Sequence, residues 1–154
     1  MRYLPLAFMF IVSTAHAQNL VNATAPEPIA ALMQDAGLQA QIDKDNSGDP
    51  TIISSVSGAN FNVLFYGCTQ GQDCTSLQFY ACFKVATPPS LEVINKWNIE
   101  IRYGKAYLDA ESNPCLEQDV DMTYGIAPDT FKNALQNWAQ VLGKYTTTIG
   151  YYPG

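Results

Sequence analysis

Three carboxylates recur at alternate positions, Glu117, Asp119 and Asp121, and on a strand that spacing places all three on one face. Two carboxyl groups converging in a cleft, one held protonated and the other ionised, would form an acid/base pair. Asp109 is a further candidate for such chemistry. A row of acids along one strand is also the ordinary dress of a solvated sheet face, and no neighbouring pattern marks a sugar cleft. The solvated face is the reading adopted here, with a small carboxylate-dependent hydrolase as an alternative.

A second cluster, Asp43-Lys-Asp45-Asn-Ser47-Gly48-Asp49-Pro50-Thr51, begins like a twelve-residue calcium loop. The match fails where coordination is decided. Position 12, which needs a bidentate Glu, is Ser54, and position 8 is Pro50, which has no N–H to give. The chain also leaves through a β-branched run instead of a helix. These residues are expected to form a hairpin turn, with no metal site and no cofactor.

The leading residues narrow the chemistry further. Arg2, an apolar run from Leu4 to Val12, and Ala15-His16-Ala17 form the pattern of a secretory signal peptide over residues 1–17. The expectation is an exported protein, periplasmic or extracellular, with no membrane span after cleavage. Cleavage removes His16, the only histidine, so His-dependent nucleophilic catalysis and His-containing zinc sites are closed to the remaining chain. It also removes Arg2, making a chain of net charge −6 one unit more negative. Arg102 is then the only arginine, and without a basic patch nucleic acid is excluded as a partner.

Cys68, Cys74, Cys82 and Cys115 would enter an oxidising compartment, where pairing is the default. Cys68 and Cys74 close a short turn and are expected to pair. Cys82 and Cys115 both face away from the apolar stripes of their strands, and pair if those strands are neighbours.

With 47% apolar and 14% charged residues, the chain has the composition of one domain with a packed core. Residues 18–25 read as a disordered lead, 26–149 as the domain and 150–154 as a tail. Pro26-Glu27-Pro28 opens a first helix that Gly37 closes. "LQAQID" and "PTIISSV" read as strands, followed by two more in which Phe61, Val63, Phe65 and then Leu77, Phe79, Ala81, Phe83 alternate with other residues. Ser90 is the N-cap of a second helix with the stripe Leu91, Ile94, Trp97, Ile101, ended by Gly104. "KAYLD" and "CLEQDVDM" are two further strands. A last helix from Pro128 carries Phe131, Leu135, Trp138 and Leu142, and residues after Gly143 are left unassigned. The order α-β-β-β-β-α-β-β-α predicts an α+β fold, an antiparallel sheet with helices mainly on one face. Tyr66, Tyr80 and Tyr107 alternate away from core positions, as exposed aromatics of a binding surface would.

From Asn60 onwards the chain resembles the YbjN family, described as bacterial sensory transduction regulators. The resemblance rests on Asn60-Phe61, Tyr66-Gly67-Cys68, Cys74 with Ser76-Leu77-Gln78-Phe79, and Asn95-x-Trp97-Asn98. It continues through Arg102-Tyr103-Gly104-x-Ala106-Tyr107-Leu108-Asp109 and Glu117-x-Asp119-Val120, and Asp49-Pro50-Thr51-Ile52 is similar to the family's turn into its second strand. It implies a fold like that of type III secretion chaperones, which bind proteins and often dimerise, and it implies no catalytic residues. The expected function is therefore a non-enzymatic, exported protein-binding module, with a protein or peptide partner and a homodimer as the assemblies to look for. Its contacts would lie on Trp97 and Ile101 of the second helix or on Tyr66, Tyr80 and Tyr107. A small-ligand sensor is the other alternative.

Overall fold

The computed structural model describes residues 19–152, so the expected signal peptide and the end of the expected tail lie outside the described residues. The elements are α1 (Pro26–Asp35), β1 (Gln41–Lys44), β2 (Pro50–Val56), β3 (Ala59–Tyr66), β4 (Ser76–Cys82), α2 (Leu91–Glu100), β5 (Lys105–Leu108), β6 (Pro114–Asp121) and α3 (Pro128–Thr148). This is the expected α+β order. The strands form one antiparallel sheet in the order β1-β2-β3-β4-β6-β5. The first four are a meander. α2 then carries the chain to the far edge, where β5 forms, and β6 returns to fill the place between β4 and β5.

Local chemistry sets the turns. Between β1 and β2, Asp45 Oδ1 accepts from the backbone N–H groups of Ser47 (2.8 Å) and Asp49 (3.0 Å), so the calcium-like stretch is a hairpin turn stabilised by its own aspartate. Between β2 and β3, Ser57 and Gly58 take φ of 53° and 78°, the double left-handed turn whose twist matches a hairpin.

Alternation along the strands then divides the sheet. Ile52, Phe61, Val63, Phe65, Leu77, Phe79 and Leu116 are buried on the helix side. α3 lays Phe131, Leu135, Trp138 and Leu142 onto them. The indole of Trp138 stacks on Phe79 at 5.7 Å between centroids, and Phe61 meets Trp138 edge-on at 5.8 Å. α1 adds Ile29 and Met33 to the same core.

Several sequence expectations need correction. The second helix ends at Glu100, and Ile101 is extended, off the helical stripe. Gly104 (φ 79°) does not end it; it turns the chain into β5 and accepts the Trp97 Nε1–H at 2.8 Å. Leu91 is exposed, so only Ile94 and Trp97 of that stripe are buried. α3 runs five residues past Gly143, because Tyr145 continues the apolar stripe. Its ring packs edge-on against Trp97 at 4.9 Å and its hydroxyl donates to the Cys115 carbonyl at 3.1 Å. The lead expected to be disordered is held as well: Val21 forms a two-way backbone bridge with Ile126, and Ala23 is fully buried.

The sheet's two edges differ. At β5 the side-chain amide of Asn98 imitates another strand, donating to Ala106 O (2.9 Å) and accepting from Ala106 N (2.8 Å). β1, the opposite edge, is exposed along its length.

Phe79 sits among three aromatic rings with no exposed surface. Phe79→Ala is therefore expected to destabilise the fold by about 3–5 kcal/mol, measured from urea unfolding midpoints.

Candidate functional site: the uncovered sheet face

The face opposite the helices has its own order. Strand register places Ile53, Asn62, Tyr80, Glu117 and Lys105 in one cross-strand row and Thr51, Leu64, Gln78 and Asp119 in the next. Cys82, Cys115 and Tyr107 form a third row, and Tyr66 and Asp121 flank Ser76 in a fourth. Tyr66, Tyr80 and Tyr107 thus share a face with Glu117, Asp119 and Asp121.

Hydrogen bonds knit the rows. The Tyr66 hydroxyl donates to Gln78 Oε1 at 3.4 Å, and Gln78 Nε2 donates to Asp119 Oδ1 at 2.9 Å. Lys105 Nζ pairs with Glu117 Oε1 and lies 5.7 Å from the centroid of the Tyr107 ring. Lys105 Nζ reaches over the sheet from its edge, with 68% of its side chain exposed against 13% for Glu117. The hydrogen bond that Lys105 donates to Glu117, and then the Glu117 charge, raise the ammonium above its ordinary pKa. Burial, followed by the charges of Glu117 and Asp119, raises the Tyr66 phenol; burial, Tyr80 and Glu117 do the same for Tyr107. All three groups keep their protons at neutral pH. The aromatic rings are neutral hydrogen-bonding surfaces in an acidic field.

The structure joins Cys68 to Cys74, and Cys82 to Cys115 across the paired strands β4 and β6. The Tyr80 hydroxyl donates to Cys82 Sγ at 2.8 Å, since a disulfide sulfur has no proton to give. An Asp109 carboxylate oxygen lies within 4.8 Å of both sulfurs, a grouping of metal-ligand types. With the sulfurs bonded to each other neither is a thiolate ligand, and the cluster works as a covalent clamp.

Two further carboxylates, Asp109 and Asp121, are committed to turns. Asp109 accepts from the Asn113 side chain and backbone and from the Glu111 N–H, and these bonds hold its pKa below the aspartate range. Thr123, through hydroxyl and backbone, lowers Asp121 in the same way.

Among the residues expected to make contacts, Tyr66 is 46% exposed and Tyr80 and Tyr107 are half-buried, all on this face. Trp97 is instead a core residue at 4% exposure, and Ile101 is half-buried against the core, so neither belongs to the tyrosine surface. Lys105 and Gln78 were missed. Their parity with Tyr107 and Tyr80 was the available signal, since residues two apart share a strand face. Leu91 and Ile99 of α2 are 72% and 76% exposed, each by itself on the helix surface. Among the described residues no helix is long and apolar enough to cross a membrane.

Residues 25–150 match the YbjN family, "Putative bacterial sensory transduction regulator". The chain belongs to the YbjN family. No curated protein sequence matches it. Among solved structures, this YbjN domain is similar to the Yersinia pestis type III secretion chaperone SycH, crystallised in complex with a stable fragment of YscM2. The TM-score is 0.50 at 13% identity, covering 77% of this chain and 93% of that one. An uncharacterized protein from Methanothermobacter thermautotrophicus aligns with a TM-score of 0.49 at 12% identity, covering 80% of this chain and 98% of that one. The likeness to SycH is one of fold.

Because the lowered Asp109 and Asp121 pKa values favour the folded state only while these groups are ionised, their contribution is complete above the ordinary aspartate range. It is lost as pH falls through their folded-state values. Urea midpoints should therefore fall between about pH 6 and about pH 2.5, and Asp109→Asn should show a smaller fall than the native chain.

Proposed function

We propose that this YbjN domain is a non-enzymatic protein-binding module, chaperone-like or regulatory, working in an exported compartment of a bacterium. The observation that carries the reading is the uncovered sheet face, where three tyrosines and a hydrogen-bonded acidic row stand on rigid strands opposite a complete core. Tyrosine combines a large apolar ring with a polar tip at small conformational cost, which suits it to protein interfaces. Family membership and the chaperone-like fold are in accord with this reading. The carboxylates support it too. Asp109 and Asp121 are held ionised by turn hydrogen bonds, whereas a hydrolytic acid needs its proton held on by burial or a like charge. The signal-like leader and the disulfides support export.

Cross-linking capture from envelope extract with tagged, oxidised protein tests the proposal. A polypeptide should be enriched by the native chain and lost with the double variant Tyr66→Ala, Tyr107→Ala, whose circular dichroism should remain native. Equal capture by both proteins, or none by either, would overturn it.

A further inference from the structure

The charge on the uncovered face is one-sided. Asp43, Glu117, Asp119 and Asp121 all lie on the strand positions facing that side, and Lys105 is the one cation among them. Lys44, the neighbouring cation on β1, has the opposite parity and faces the helix side. A surface of this kind repels a second copy of itself, because an isologous contact would set its carboxylates against their own duplicates. A basic partner instead finds complementary charge.

Lys105 shows what such a partner would do there. Its ammonium pairs with Glu117 and stands over the Tyr107 ring, the arrangement in which an aromatic face and a carboxylate together hold a cation. The receiving groups stand on the strands themselves, with Glu117 mostly covered. The lysine is on a flexible stem at the edge strand and mostly in solvent, and an exposed ion pair of this type is weakly held. Asp119 is exposed two residues further on, about 7 Å away along the strand, with one oxygen on Gln78 and the other without a protein donor among the described residues.

Resting on the protein-binding reading above, we propose that the face receives a lysine- or arginine-bearing segment of a partner polypeptide. One cation displaces Lys105 from Glu117 and Tyr107, and the next pairs with Asp119 beside Tyr66. Alternate residues of an extended chain have the same spacing of about 7 Å, so a segment with basic side chains at every second position fits the two acids together. Lys105 is then an internal competitor that keeps the acidic site closed to weak cations.

The test uses three labelled peptides of equal length, alternating threonine with lysine, with glutamate or with leucine, titrated onto the mature disulfide-bonded protein by fluorescence anisotropy. The lysine peptide should bind, and raising salt from about 0.05 M to about 0.5 M should weaken it. Glu117→Gln with Asp119→Asn should weaken binding by about tenfold or more. Lys105→Ala should strengthen it about threefold, whereas Lys44→Ala, which removes the same charge from the helix side, should have much less effect. Amide shifts of Glu117, Asp119 and Lys105 should move on titration. Equal gains from Lys105→Ala and Lys44→Ala would reduce the effect to net charge and overturn the proposal. Preference for the leucine or glutamate peptide with shifts on this face would overturn the basic partner while leaving protein binding standing. Dimerisation through the face would also overturn it, as would the absence of binding by any peptide. Envelope capture would then judge the protein-binding reading separately.

Discussion

The stacking of Trp138 on Phe79 joins the middle of α3 to the middle of the sheet, and the remaining arrangement depends on that contact. Once α3 is seated there, Leu142 and Tyr145 extend its buried stripe to β6 and α2, while α1 covers the other flank. A sheet covered on one face by three helices has already buried most of its large apolar side chains. The strands' other face is then free to carry residues that a core would not accept. Tyrosines, acids and a cross-strand disulfide occupy it.

The uncovered face is held together differently from the core. Its order comes from directional bonds between side chains on neighbouring strands, from Tyr66 through Gln78 to Asp119 and from Lys105 to Glu117, with the Cys82–Cys115 bond beneath Tyr80. Individually the exposed members contribute little to stability. Their effect is to give each tyrosine and carboxylate a defined position, which a recognition surface requires and a merely solvated face does not. Because Glu117 is largely covered while its lysine partner is largely exposed, the pair is asymmetric, with the acid anchored and the base able to leave.

Much of this was legible from residue order. Alternation in β3 and β4 is strict, and the helical stripes of α1 and α3 are strong, so element order and buried faces followed directly. The turn at Asp45 to Asp49 was legible because its aspartate chemistry is local. Legibility failed where a residue's environment came from distant chain. Tyr145 lies in a stretch rich in threonine, whose side chains weaken helical preference, and its helical state depends on Trp97 and the Cys115 carbonyl. Val21 looked like part of a polar lead because its partner, Ile126, is remote in sequence. Ile101 fitted a helical spacing but falls after the helix end, where the chain must straighten to enter β5.

Residue order alone therefore determined the class of fold, the side of the sheet on which each strand residue stands, and the loss of histidine chemistry if the leader is removed. These are properties of period, composition and local turn geometry, which act over a few residues. Tertiary structure decided which strands are neighbours. Only the insertion of β6 between β4 and β5 sets Cys82 opposite Cys115, brings Lys105 to Glu117 and gathers Tyr66, Tyr80 and Tyr107 around one acidic row. Strand pairing is a long-range choice, made by the helix layer that closes over the sheet, and no local pattern in the chain encodes it.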